Sequence, residues 1–537
     1  MMIIVTIISS PKIIMWPILF ASPLTVLLMW VVYIVMGMLD KLVLTPLRIK
    51  RIMNRQGVKG PSAYWVLGNI LDMLKIRQAE AEKDMKTGDY DIMSHVLPYE
   101  AQNCQAYGKM HMWWFGWQAT IRIANLDLIK QVLAKDVFIT PQIQSKFLSE
   151  LMGKGLITTE GEEWALHRQI VNPAFHQEKL KAMVPIMEKS ASSMANEWEE
   201  KVKDGGGCVE LEVSHYMANV TADIIAHTAF GSSYEKGRKV FEHQLSLLNL
   251  TLQRLKFITI PGYRFLPTPL NIKILLTQIG ISRSLNEIIQ ARKYMVNMTK
   301  NASYGNDLLG LMLTATSQKT QDVKGGKVHF GMQQLMDNCK TFFLAGYETT
   351  ATLLTWTMML LASHTTWQEC ARAEVIDVCG DGDHPFNADM LDKLKMLTMI
   401  LNEALRLFPP VMDQVREVVM DVKLGDLDIP KGSTLYFPRL SIHHDPELWG
   451  TNVHEFKPER FANGVAKATK HPLAFMPFSF GSRFCVGQGF AMEEAKSILV
   501  VILRRFRFQL SSNYRHSPCT RGTLKPKYGL PVMLESL

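Results

Sequence analysis

The sequence predicts a mainly α fold with a smaller β part (α+β), a single large globular domain behind an N-terminal transmembrane helix. Three observations predict it. Ile18 to Leu39 is a run of 22 residues without a charge, long enough to cross a bilayer. Residues 180–300 and 332–363 carry apolar side chains at helical spacing over stretches too long for strands. Alternation of apolar and polar positions is confined to short segments such as Met112-Trp-Trp-Phe-Gly-Trp117 and Ala119-Thr-Ile-Arg-Ile123, which read as a small β-hairpin within residues 107–135. A hydrophobic content of 47% with 20% charged residues excludes a disordered chain. The formal net charge of +9 admits nucleic acid, an anionic membrane or an acidic protein as partner. The basic residues are scattered rather than interleaved with aromatics, which argues against nucleic acid. Seven widely spread cysteines without a Cys-x-x-Cys pair suggest neither a zinc site nor a disulfide framework, as in a reducing compartment.

Taken in order, residues 1–40 form the anchor, 41–60 a basic hinge and 61–537 the globular domain. Pro17 and Pro23 sit near the start of the span, where they break least helix, and Trp16, Trp30 and Tyr33 are its interfacial aromatics. Lys41, Arg48, Lys50, Arg51, Arg55 and Lys59 follow the span, and only Lys12 precedes it, so the globule lies on the cytosolic side. The apolar run is longer than a cleaved leader and lacks the basic region in front of one, so the anchor stays attached. Its sequons at Asn219, Asn249, Asn297 and Asn301 then never meet glycosylating enzymes. Gln56-Gly-Val-Lys-Gly-Pro61 completes the hinge, and Ser317 to Lys327 is a polar surface linker. The apolar loop from Ile260 to Pro269 reads equally as a lid and as a plain helix–helix connection.

In the middle of the 332–363 helix stand Ala345-Gly346-Tyr347-Glu348-Thr349-Thr350. A mid-helix glycine costs about 1 kcal/mol relative to alanine, and a glutamate in an apolar stretch costs more unless partnered. Such local rule-breaking marks a functional site; threonine back-bonding to the preceding turn is the alternative without chemistry. Glu403 and Arg406 share a helix face at i and i+3, an ordinary pair contributing ~0.2–0.5 kcal/mol by itself. The helix stops at once at Leu407-Phe-Pro-Pro410, and Phe456-Lys-Pro-Glu-Arg460-Phe461 follows some way on. His443 and His444 have no third ligand at metal spacing and read as part of a turn.

Near the C-terminus, Phe478-Ser-Phe-Gly481-Ser-Arg483-Phe-Cys485-Val-Gly487 precedes the apolar helical run Phe490 to Phe506. Each choice suits a cysteine thiolate bound to haem iron. The glycines let backbone approach a flat macrocycle. The following helix start offers unpaired N–H groups to the thiolate. Arg483 can reach a propionate, and Phe478 can pack on the ring. The alternative is an ordinary buried thiol.

On these residues the chain, from about Gly60 to its end, resembles the cytochrome P-450 family of haem-thiolate monooxygenases. Ala-Gly-x-Glu-Thr, Glu-x-x-Arg, Pro-Glu-Arg-Phe and Phe-x-x-Gly-x-Arg-x-Cys-x-Gly are all present and in order. Leu354-Thr-Trp356, His443-His-Asp-Pro-Glu-Leu-Trp-Gly450, Tyr514-Arg-His-Ser-Pro518 and Lys527-Tyr-Gly-Leu-Pro531 resemble a plant clan acting on gibberellins, brassinosteroids, cytokinins, terpenoids and fatty acids. Within it the chain looks nearest to members linked to fatty-acid in-chain and cytokinin side-chain hydroxylation.

The resemblance implies haem b with iron held by Cys485, which is then the metal ligand. It implies propionate contacts from Arg483, Trp164, Arg168 and Arg416, and a Gly346 that opens space over the metal. Thr349 and Glu348 become the catalytic pair, the first hydrogen-bonding at the oxygen site and the second relaying protons. Glu403, Arg406 and Arg460 become a buried supporting network. Substrate contacts fall to the irregular Thr140–Thr159 segment and to Val411–Gln414. The implied partners are O2, a small lipophilic substrate, the endoplasmic reticulum membrane, and an NADPH-cytochrome P-450 reductase that carries the NADPH and flavin chemistry. Lys496, Arg504, Arg505, Arg483 and Arg507 either dock that reductase or form a solvated helix end. Departures are Ser482 for the common proline, Ala404 for threonine or serine, and Tyr347 in a variable slot. A reductase-independent haem-thiolate isomerase or dehydratase, and a membrane-anchored haem or sterol binder, are the competing functions; the first often lacks the acid–threonine pair.

Overall fold

The computed structural model describes residues 23–537 apart from 65–66, 136–137, 140–141, 232–233, 258–261, 299–302, 318–320, 324–325 and 383. Lys12, Trp16, Pro17, the first residues of the apolar span (18–22), Thr140, Ile260, Pro261 and Asn301 lie outside the described residues.

Helix α1 (Pro23–Leu39) is apolar all round and none of its residues is buried, as expected of a segment whose solvent is lipid. A π-helical turn (Asp40–Leu44) joins it to α2 (Thr45–Arg55), so the span and the basic segment form one helix from Pro23 to Arg55. This corrects the expected hinge over residues 41–55, whereas 56–60 lie outside any helix: Thr45 and Pro46 fit a first helical turn, and Ile49 and Met53 gain burial by docking on the globule. Gln56 closes the contact, donating Nε2–H to Asp428 O (2.9 Å) and accepting from Asp428 N (2.7 Å).

Strands β1 (Met112–Phe115) and β2 (Gln118–Arg122) form the expected hairpin, turning at Gly116, whose φ of +64° no bulkier residue adopts cheaply. Within residues 107–135 a helix follows it at Leu126–Leu133. With β3 (Phe138–Ile139), β5 (Gln414–Val418) and β6 (Thr434–Phe437) the hairpin builds a five-stranded sheet, ordered β1-β2-β6-β5-β3. One face of this sheet carries Met112, Trp114, Ile121, Leu435 and Phe437 into a core shared with Ile49 and Met53 of α2. A three-stranded sheet orders β7 (Phe506–Leu510), β10 (Pro531–Ser536) and β4 (Cys208–Glu212), and β8 (Pro518–Arg521) and β9 (Thr523–Pro526) make a separate hairpin.

The large core is helical. The helices that build it are, in chain order, α3 (Gly161–Val171), α4 (Gln177–Asp204), α5 (Val213–Phe230), α6 (Tyr234–Arg254), α7 (Pro269–Met298), α8 (Met332–Ser363), α9 (Lys395–Leu407) and α10 (Gln488–Arg505). Helix α5 lies along α8, with Phe230 stacked on Phe343 at 4.0 Å and Thr221 Oγ1 donating to Tyr347 O (3.2 Å). Trp356 of α8 stacks on Phe408 at 4.2 Å and donates Nε1–H to Leu524 O of β9 (2.7 Å). The fold is thus the predicted α+β class. Two local readings change. Most of Thr140–Thr159 is helical, at Gln142–Met152, and the polar linker after Ser317 pairs Gln321–Val323 with Gly326–Val328 in a short hairpin.

Candidate active site

Cys485 sits where the loop after Phe478 turns into α10. Its N–H donates to Phe478 O at 2.9 Å, closing the loop on itself. Gly481 has φ +81°, and a Cβ there would stand 2.5 Å from Leu133 O, so backbone packs on backbone where only glycine fits. The thiol has accessible surface, yet burial pushes its pKa up, opposed by a Gly487 backbone hydrogen bond and by Arg168 and Arg439. The two facts agree if its open face looks into interior space.

Other interior elements leave open surface in the same way. On α8 almost every side chain from Leu335 to Ala362 is buried, but Ala345, Gly346 and Thr349, at i, i+1 and i+4 on one face, are partly open. Val411 is 44% exposed although it directly follows the buried run Leu407-Phe-Pro-Pro410. Unfilled apolar surface within a close-packed core is surface shaped for a ligand.

Cations converge on this region. The Arg483 guanidinium lies 4.6 Å over the Trp164 ring and donates to Thr159 O (3.0 Å) and Glu160 Oε2 (2.5 Å). Arg168, one turn after Trp164 on α3, donates to Phe484 O at 2.9 Å and lies 4.7 Å over that ring. Arg416 of β5 donates only to its neighbour's carbonyl, Val415 O (2.8 Å), and its pKa falls to about 10 through burial and the charge of Arg483. Arg439 is 5% exposed, its Nε has no hydrogen-bond partner, and burial lowers it to about 10 as well. Gathering guanidiniums at this cost calls for anions. A thiol, open interior surface and clustered cations are the set that haem would need, a thiolate from Cys485 for its iron and guanidiniums for its carboxylates. Trp164 and Phe478 pack against the same core as partly buried aromatics.

Glu348 and Thr349 are not joined to each other. Thr349 Oγ1 donates back to Ala345 O (2.9 Å), the alternative weighed for it from sequence. Glu348, 5% exposed, turns to the C-terminal hairpin: Oε1 accepts from Thr523 Oγ1 (2.9 Å) and pairs with Lys525 Nζ (2.7 Å), while Thr352 Oγ1 reaches Thr523 Oγ1 at 3.1 Å. At Gly346 a Cβ would meet Ile225 Cδ1 and Cγ1 at 2.9 Å, so the missing side chain lets the neighbouring helix α5 pack close.

The supporting network is fully interior. Arg406 grips Glu403 with two bonds of 2.8 Å, both side chains fully covered, and donates Nη1–H to His443 O (3.0 Å). Glu403 Oε1 also accepts from Lys457 N (3.0 Å) and Arg460 Nε (3.3 Å). Of the cations expected at a docking face, Lys496 is corrected: it is buried and donates to Leu391 O (2.9 Å). Arg507 pairs with Glu369 at 3.1 Å. Sequence reasoning missed Lys525, Thr523 and Arg439. Arg439 carried a signal, a charge one proline after the apolar strand Thr434–Phe437, whereas Lys525 carried none.

A family model for cytochrome P450 matches residues 93–532. A cytokinin hydroxylase of Arabidopsis thaliana is 40% identical over 496 residues, covering 92% of this chain and 94% of that one. Echinocystic acid 23-monooxygenase of Saponaria officinalis is 39% identical over 504 residues, covering 93% and 95%. Cytochrome P450 734A1 of Arabidopsis thaliana is 38% identical over 502 residues, covering 92% of each chain.

Proposed function

We propose, since this chain belongs to the cytochrome P450 family, that it hydroxylates a small lipophilic plant metabolite of the isoprenoid, hormone or fatty-acid class. Haem b bound through Cys485 supplies the activation of O2; two electrons arrive from an NADPH-dependent reductase, one oxygen atom enters the substrate and the other leaves as water. The residues of this chain do the rest. Arg168, Arg416 and Arg483 hold the propionates, and the cost of burying these cations falls when anions meet them. The Glu403–Arg406–Arg460 network fixes the segment that leads into the Cys485 loop. Val411 and the open face of α8 present apolar surface to the substrate and keep water out. Lys525, two-thirds covered, is the link from solvent to the interior carboxylate of Glu348, which passes protons toward the Thr349 hydroxyl. We further infer a place in the endoplasmic reticulum membrane with the globule in the cytosol, supported by the exposed apolar helix α1 and the basic α2 behind it.

The observation that supports this reading is the acid kept inside α8 and tied to a cation, a feature that haem-thiolate isomerases often lack. The test is spectroscopic and then catalytic. Reduced protein under carbon monoxide is expected to show the red-shifted band of thiolate-bound haem, lost in Cys485→Ser. NADPH- and substrate-dependent O2 uptake then separates a monooxygenase from an isomerase or a binding protein. Screening hormones, triterpenoids and fatty acids for a high-spin shift identifies the substrate; product formed without O2 would overturn the proposal.

A further inference from the structure

Away from the thiolate, the fold gathers one more set of metal-ligating side chains. His444, His454 and Asp91 present ligand atoms that all lie within 4.8 Å of one another. They come from three places. His444 follows the short helix Arg439–His443, His454 precedes the 3-10 turn Pro458–Phe461, and Asp91 lies just before the helix Met93–Val96. The adjacent histidines that sequence reads as a pair are parted by the fold: His443 Nε2 accepts from Met476 N (3.2 Å), while His444 bonds Leu407.

His444 is 5% exposed, and its Nε2–H donates to Leu407 O at 3.0 Å. That bond places the hydrogen on Nε2 and leaves Nδ1 as a lone pair. This Nδ1 is buried and has no hydrogen-bond partner. Fixing a ring through an N–H to a carbonyl is how metal-binding histidines are oriented. His454 shares the second feature. Its Nδ1 is buried and unpartnered, its ring lies 5.4 Å from that of His444, and its Nε2 stands 3.9 Å from Asp91 Oδ2. Unpartnered ring nitrogens also occur at His95, His111, His167 and His443, but among the described residues only this cluster brings three ligand side chains together. Side-chain exposures of 37% for His454 and 55% for Asp91 leave one flank open to water.

We propose that His444, His454 and Asp91 form a Zn2+ site, two imidazoles and a carboxylate with water in the fourth position. Nitrogen and oxygen donors in this number suit zinc, and an unpartnered lone pair nine-tenths buried is a ligand already desolvated for it. The ion would staple the segment ahead of the Met93–Val96 helix to the stretch that holds Arg406, since Leu407 supports the His444 ring and His443 O accepts from Arg406.

The test uses the full chain with its haem and no polyhistidine tag, stripped with EDTA and titrated calorimetrically with Zn2+ alone. One equivalent is expected to bind and to raise the thermal midpoint. His454→Ala and Asp91→Asn, both on the open flank, are each expected to weaken binding about tenfold or more while leaving the reduced carbon monoxide band of the metal-free protein as it was. Unchanged Zn2+ affinity in either variant, or no saturable uptake by the parent chain, overturns the site. The readout is zinc uptake and not turnover, so its failure leaves the hydroxylase reading standing.

Discussion

Replacing Lys525 by methionine isolates the link between solvent and the acid of α8. In the parent, Lys525 Nζ stands 2.7 Å from Glu348 Oε1, with 32% of the lysine side chain and 6% of the glutamate side chain exposed. Breaking a fully buried pair costs about 3–5 kcal/mol and an exposed one at most about 1 kcal/mol; a pair with one partner two-thirds covered falls between, at about 2 kcal/mol. Methionine keeps the volume, so the loss is electrostatic. Glu348 keeps one donor, Thr523 Oγ1 at 2.9 Å, and an energy of this size lowers the population of its hairpin-facing conformer roughly 30-fold. Proton delivery then slows while electron delivery does not, and NADPH equivalents drain into peroxide. The assay is NADPH consumed against product and peroxide formed in vesicles reconstituted with reductase, using the compound that gives the largest high-spin shift. Lys525→Met is expected to lower the product share severalfold and enlarge the solvent isotope effect on kcat, and Lys525→Arg to restore both. A product share in Lys525→Met within a few tens of per cent of the parent would refute the assigned link.

Glu403→Gln leaves Arg406 and Arg460 as interior cations without their carboxylate, and is expected to cost about 3–5 kcal/mol, read as a fall in thermal midpoint of several degrees; an unchanged midpoint speaks against the network. Gly346→Ala pushes a methyl into Ile225, so an overpacking cost of about 1–3 kcal/mol outweighs the gain in helix propensity of about 1 kcal/mol. Urea unfolding should show the loss, and should show a gain instead when Ile225→Ala is made first. Burial, then the charge of Glu100, pushes the Asp413 carboxyl up to about 6 against the help of Arg439. A raised acid binds its proton more tightly folded than unfolded, so its contribution is intact below about pH 4 and lost as pH rises through about 6. Allowing for its partly open side chain, Asp413→Asn should stabilise at pH 7.5 by about 1–3 kcal/mol and flatten the stability profile between those values; a profile identical to the parent's contradicts the assignment.

Much of this was legible in the chain. The limits of α8 and of the β1–β2 hairpin followed from apolar periodicity, because a helix or strand that buries one face must repeat at its own period. The Glu403–Arg406 pair was legible as i, i+3 neighbours, and its burial only through the resemblance. What failed failed for stated reasons. The segment after residue 40 looked like a hinge because its charges were visible and the docking surface for Ile49 and Met53 was not. Lys496 looked like a surface cation until Leu391 O was found to satisfy it.

By itself the sequence determined the class of fold, the long apolar run near the N-terminus and the chemistry available at Cys485, because these depend on composition, on period and on residues close enough along the chain to act together. Only the tertiary structure decided the partners: Thr523 for Glu348 across 175 residues, Ile225 against Gly346, and Asp91 beside His444 and His454. Contacts of that kind are made when distant segments are packed together, and no local pattern in either segment carries the position of the other.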